Sequence, residues 1–228
     1  MPAPPENRPT LVRERRAAGV EVLRLDRPER RNALDSRALA ELERALAELG
    51  ADPELSVLVL STTSSRALCA GADVEEPLDR AGGVARMEAF SRMYAAVEAF
   101  PAPTVCVCVG NCVGAGAELA AGCDLRVGGE NLKLAWAGAR LGVPVGVARL
   151  VPLVGLAIAK EQVFTGRTVG CEEALRHGLR RLKRMFRDFE GTAGRVAAEN
   201  AILEAWQRGG PGLPSRPADE RRADPERG

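Results

Sequence analysis

The chain has 228 residues and a mass of 24.2 kDa, the size of one domain or of one domain with a small appendage. Its 46% hydrophobic and 28% charged residues are the balance of an ordinary globular chain rather than a fibrous or low-complexity one. A net charge of +1 and a pI of about 7.6 argue against a nucleic-acid binder driven by bulk charge, for which a pI above roughly 9 is usual. The longest apolar run, Leu150–Ala159, contains Pro152 and Gly155 and falls short of the ~20 residues a membrane span needs. Residues Met1–Thr10 carry four prolines and no apolar stretch of the secretory type. The six cysteines show no CxxC pairing and, with a single histidine, no zinc spacing. They read as small buried hydrophobes of a reducing, cytoplasmic compartment, with neither a metal nor a membrane as partner.

In chain order, Thr10–Arg16 and Val20–Leu25 read as a strand pair about a turn at Gly19. A polar loop follows over 26–32. Asp35 or Ser36 then caps a helix in which Leu39, Leu42, Leu46 and Leu49 keep the helical period, and Gly50 stops it. Val57–Leu60 is a continuous apolar run, a strand expected to be buried on both faces. Thr62–Glu76 reads as a loop. Met87, Phe90, Tyr94 and Val97 share one face of a second helix, ended by Pro101 and Pro103. Val105–Val109 is another buried strand, and Gly110–Cys123 starts as a loop and becomes a helix. Asp124–Val127 and Leu132–Ala135 read as short strands, and Leu156–Phe164, Cys171–His177 and Leu182–Trp206 as helices. The last 22 residues, 207–228, hold one aliphatic side chain, Leu213, among prolines, glycines and charges, too little apolar surface to offset ordering entropy. Strands alternating with helices in one core predict an α/β fold.

The chemistry concentrates in Gly110–Cys123. Glu118 is the only ionisable carboxylate there, among Gly, Ala, Val, Leu and Cys. Burying an unpaired carboxylate costs several kcal/mol (order of magnitude), so such a group persists where it is paired or useful. Burial also raises its pKa towards neutrality, which suits proton transfer. The alternative is a glutamate paired to a distant arginine for structure. Just before it, Gly114-Ala115-Gly116 at a helix start leaves backbone N–H groups unpaired and unscreened. Cys69-Ala70-Gly71-Ala72-Asp73, after another strand, offers the same bare backbone. Two such donors converging would hold a developing oxyanion. Neither stretch matches a phosphate loop: there is no GxxxxGK[ST], and position 119, where GxGxxG needs its last glycine, is leucine.

The ordered motifs Arg27-Pro28, Arg31-Asn32-Ala33-Leu34, Cys69–Asp73, Pro103-Thr104-Val105, Gly114–Ala120, Cys123-Asp124, Leu141-Gly142-Val143-Pro144 and Thr165-Gly166-Arg167 resemble the crotonase (enoyl-CoA hydratase/isomerase) superfamily over roughly residues 10–180. The resemblance implies a spiral of ββα units and an acyl-CoA substrate, with coenzyme A as part of that substrate and no separate cofactor. It assigns the oxyanion donors to the N–H groups of Ala72 and Ala115 and the first catalytic glutamate to Glu118. It places Arg27, Arg31, Asn32, Ala33, Ala70 and Asp73 along the coenzyme A. It also implies a homotrimer or a dimer of trimers.

Two departures stand out. Where hydratases carry a second glutamate, about twenty residues on, this chain has Gly138, with Arg140 nearby; a guanidinium stays protonated and makes a poor base. After Gly178-Leu179 about thirty residues of the family pattern are absent, which weakens the expectation of a trimer. The chain thus divides into a spiral core (1–180), a shortened C-terminal helical segment (181–206) and a disordered tail (207–228). The activity implied is of hydratase/isomerase type with one glutamate as acid and base. A decarboxylase or C–C bond-processing relative and a non-catalytic CoA- or RNA-binding homologue stay open. Asp73 and Asp124 read as loop anchors, His177 as a helix-end residue, and the basic run from Arg180 to Arg187 as a solvated face.

Overall fold

The computed structural model describes residues 8–16, 19–143, 146–177 and 208; the segments read above as the C-terminal helix and the tail lie outside them, apart from Arg208. Strands β1 (Leu11–Arg15) and β2 (Val20–Leu25) form the antiparallel pair, with Leu11 opposite Leu25 and Arg15 opposite Glu21. Helix α1 (Ser36–Gly50) starts at Asp35, whose carboxylate accepts the Ala38 N–H at 2.7 Å. Its Leu39, Leu42, Leu46 and Leu49 are all buried, each a contribution of about 1.5–3 kcal/mol.

From β3 (Val57–Thr62) the chain repeats one unit. Strand β3 is followed by β4 (Ala67–Cys69) and α2 (Arg80–Glu98), then β5 (Thr104–Cys108) by β6 (Asn111–Val113) and α3 (Ala115–Gly122), then β7 (Leu125–Gly128) by β8 (Lys133–Ala135). The first strand of each unit joins a five-stranded sheet in the order β1-β2-β3-β5-β7, and the second joins a three-stranded sheet in the order β4-β6-β8. All pairings after β1–β2 are parallel. Each turn of this spiral therefore adds one strand to each sheet and one layer to the core. Helices α4 (Val147–Val154), α5 (Leu156–Thr165) and α6 (Cys171–Arg176) follow. Among the described residues no helix is long and apolar enough to cross a membrane.

The structure corrects four readings. The stretch 62–76 is not all loop, and 110–123 does not pass directly from loop to helix, because β4 and β6 occupy three residues each. Strands that short show no alternation; they exist because a parallel neighbour completes their hydrogen bonds. The helix expected over Leu156–Phe164 is α5, whereas α4 before it carries no helix in the sequence reading. The run holds two helices, broken at Gly155, where φ is +81°. Val57 and Val59 are half-buried, so β3 is fully covered on one face only.

Helix α3 is the centre of this packing. All eight of its residues are buried. At its C-terminal end Arg126 donates to the carbonyls of Ala120 at 3.0 Å and Cys123 at 2.8 Å, capping the negative end of the dipole. Gly116 lets the helix touch β4: a Cβ there would sit 2.3 Å from the Cys69 carbonyl oxygen. Gly116→Ala should therefore destabilise the fold by about 1–3 kcal/mol, read as a lower denaturation midpoint; an unchanged midpoint would contradict this close approach.

Candidate active site

The two glycine-rich stretches come together. Gly114 (φ +52°) precedes α3, and a methyl group placed on Gly71 would lie 3.7 Å from the Ala115 nitrogen and 3.1 Å from the Val113 carbonyl oxygen. They form one wall of a pocket of ≈ 200 Å³. Ala70, Gly71 and Ala72 face Val113, Gly114 and Ala115 there; Met87, Phe90 and Tyr94 from α2, with Val74, supply an apolar side. Ala137, Gly138, Leu141 and Val143 close it. The α2 stripe read as core is thus core and pocket lining at once.

Both donor candidates are left bare by their own local structure. The Leu34 N–H donates to the Gly71 carbonyl at 2.8 Å and the Asp73 N–H to the Leu34 carbonyl at 2.9 Å, so the intervening Ala72 N–H is turned away from that ladder. Ala115 is the first residue of α3, where an N–H has no intrahelical acceptor. Neither amide has an acceptor among the described residues.

Glu118 is 1% exposed. It lies one turn into α3 and is not among the residues that line the pocket. It is not unpaired: the Trp136 Nε1–H donates to Oε1 at 2.5 Å, and Arg149 from α4 donates to Oε2 at 3.0 Å. Arg149 is the residue that sequence reading missed. The signal was there, since a lone cation within Val147–Leu150 is as anomalous as a lone acid in α3.

The remaining candidates are placed as follows. Gly138 lines the pocket, so the position of the absent second acid does face the cavity, and no carboxylate is among the pocket-lining residues described. Arg140 turns outward and donates to the Thr165 carbonyl. Ala70 lines the pocket, while Arg27, Asn32, Ala33 and Asp73 build the loop beside it. Arg27 donates to the Ala33 carbonyl at 2.5 Å and pairs with Asp35 at 3.0 Å and Asp73 at 3.1 Å. Asn32, 1% exposed, donates to Thr62 Oγ1 and to the Ala67 and Leu68 carbonyls. These side chains are engaged within the protein, and Arg31 is exposed. Asp73 also accepts the Glu75 N–H, and Asp124 accepts the Thr104 N–H and hydroxyl, the anchoring roles read for both. His177 lies 3.2 Å from Gln162 Nε2, away from the pocket lining.

Comparison with known proteins gives the family. Residues 15–184 match the family described as enoyl-CoA hydratase/isomerase. The chain belongs to that family. A short-chain-enoyl-CoA hydratase of Clostridium acetobutylicum is 31% identical over 169 residues, covering 70% of this chain and 63% of its own length. The human mitochondrial enoyl-CoA hydratase domain-containing protein 2 is 34% identical over 161 residues, 68% of this chain and 55% of its own. The chain thus spans less than two thirds of the curated relatives it matches. Among solved structures, an enoyl-CoA hydratase of Bacillus anthracis aligns with a TM-score of 0.72 at 26% identity over 85% of this chain and 77% of that one. One from Mycobacterium smegmatis gives 0.71 at 29%, over 88% and 80%.

No cysteine lies in this pocket lining. Burial pushes the Cys69 thiol up to about 12, and Cys171 is the only one of the six that is not buried. A buried thiol is inert to exchange reagents. Native protein at pH 8 should therefore release one equivalent of dye from a disulfide thiol reagent and five more after denaturation; fast release of two or more would contradict the burial.

Proposed function

We propose that this chain processes acyl-CoA thioesters in a reaction of hydratase/isomerase type. The observation that carries the reading is the pair of bare amides, Ala72 and Ala115, on two touching loops at the wall of one apolar pocket. A thioester oxygen held there would be polarised, and the enolate formed on addition or deprotonation would be stabilised; losing one such donor typically costs about 2.7–4 kcal/mol of transition-state stabilisation. The apolar side of the pocket suits an acyl chain.

Glu118 would carry the proton. Each carboxylate oxygen has two lone pairs, so the bonds from Trp136 and Arg149 leave acceptor capacity. In hydration, Glu118 would accept a proton from water as the oxygen attacks Cβ, and return it to Cα, so that one water adds across the double bond. In isomerisation it would take the proton from Cα and return it to Cγ. The loop from Arg27 to Asp73 would border the coenzyme A moiety. The buried free thiols support a reducing, cytoplasmic setting, and the family likeness supports a homotrimer or a dimer of such trimers.

A second reading is favoured by Gly138. With no acid on that side of the pocket, water activation by a separate base is lost, and a decarboxylase or C–C bond-processing reaction needs only enolate stabilisation and one proton carrier.

A panel of short enoyl-, β,γ-enoyl- and malonyl-type CoA thioesters tests both. Wild-type protein should consume at least one, and Glu118→Gln should lower kcat by roughly 10²–10⁴-fold with acyl-CoA affinity changed little. Inert wild-type protein that still binds acyl-CoA would overturn the enzymatic reading in favour of a binding protein.

A further inference from the structure

Behind the pocket wall lies a buried charge relay that neither the family likeness nor the oxyanion geometry explains. Arg149 has 2% side-chain exposure and holds two carboxylates at once: Glu98 Oε1 from α2 at 2.7 Å and Glu118 Oε2 from α3 at 3.0 Å. Its guanidinium carbon lies 4.4 Å from the centre of the Tyr94 ring, a cation–π distance, and Tyr94 itself lines the pocket. Trp136 holds the other Glu118 oxygen. The entry to α4 is pressed against that indole, since a Cβ on Gly146 would come within 2.3 Å of Trp136 Cδ1. Three helices and the segment after β8 therefore converge on one carboxylate.

We propose that Arg149, anchored by Glu98 and the Tyr94 ring, is a positioning residue that keeps Glu118 charged and fixed in place behind the pocket wall. This rests on the reading of Glu118 as the proton carrier. An opposite charge within hydrogen-bond distance favours the ionised carboxylate, and so does a donated N–H. The other ionisable groups on elements packed against α3 are Arg80, Arg86, Glu88, Arg92, Tyr94 and Glu98 on α2 and the thiols of Cys69 on β4, Cys106 and Cys108 on β5, and Cys112 on β6. The α2 arginines are engaged elsewhere: Arg86 with Glu76 and the Asp73 carbonyl, Arg92 with Glu43 and Arg80 with the Arg208 carbonyl. Removing the guanidinium would take from the buried Glu118 and the half-buried Glu98 the cation they share, and Glu118 would take up a proton at higher pH. As the base form is lost when pH falls, the acid limb of the kcat profile would move to higher pH.

The test compares Arg149→Met, Arg149→Lys and Glu98→Gln, with the ¹⁵N-labelled indole resonance of Trp136, assigned by Trp136→Phe, as a readout independent of turnover. Between pH 8 and 5 that resonance should stay fixed in wild type. In Arg149→Met a titration should appear in the window, with kcat at pH 7 down by roughly 10²-fold and KM within a few-fold of wild type. Arg149→Lys should restore part of kcat and abolish the titration, and Glu98→Gln, which removes an anchor of Arg149 and a like charge but spares the direct pair, should keep the resonance fixed with kcat between wild type and Arg149→Met. If Arg149→Met proves unfolded by circular dichroism, Glu98→Gln decides, with an intermediate kcat supporting the assignment and a wild-type profile overturning it. A folded Arg149→Met with a fixed resonance and an unchanged pH profile overturns it outright. An inert wild type whose Arg149→Met still titrates would refute Glu118 as proton carrier, while upholding the hold of Arg149 on its charge.

Discussion

The arrangement depends on one close approach: α3 lies against the end of β4 with nothing larger than a hydrogen atom between Gly116 and the Cys69 carbonyl. That contact fixes where the helix starts. It sets Ala115 beside the 69–73 loop, where two amides that their own secondary structures cannot use stand at the edge of one cavity. A parallel ladder leaves every second N–H facing away from its neighbour, and a helix leaves its first N–H groups unpaired. The proposed site would use one of each. Neither needs a specialised side chain, and both explain why the residues concerned are alanines and glycines.

A helix made of eight buried residues would be a poor place for a charge. Glu118 is nevertheless tolerated because Arg149 and Trp136 satisfy it, and Arg149 in turn is satisfied by Glu98. Breaking a buried pair by removing one partner is far more costly than replacing the whole group by apolar residues. The network therefore behaves as a unit, and its retention in an otherwise apolar layer is consistent with a purpose beyond stability. The short C-terminal end of α3 is closed by Arg126, so the two ends of the helix differ: one is satisfied by the protein, the other is open to the pocket.

Much of this was legible in the residues. Glu118 stood out as a lone acid among small apolar neighbours, Gly114–Gly116 and Gly71–Ala72 as backbone without screening side chains, and Leu39, Leu42, Leu46 and Leu49 as one helix face. The strands β4 and β6 were not legible, because three residues cannot show a period and their stability comes from partners far along the chain. Arg149 was not found because charge pairing is a property of the folded spiral: 31 residues separate it from Glu118. The bracing role of Asn32 and Arg27 was not legible either, since their polar atoms meet backbone carbonyls, a hydroxyl and carboxylates further along the same chain. Sequence shows which residues are unusual for their surroundings; only the fold shows which unusual residues meet.

The central claim is that the amides of residues 72 and 115 grip a thioester oxygen. Isotope-edited infrared spectroscopy of a saturated acyl-CoA labelled with ¹³C at its carbonyl tests it without requiring turnover. On binding, the carbonyl stretch should fall below its frequency in water, because two fixed donors in a dry pocket polarise it more than solvent does. A stretch at or above the aqueous frequency in a saturated complex would show that the oxygen lies elsewhere.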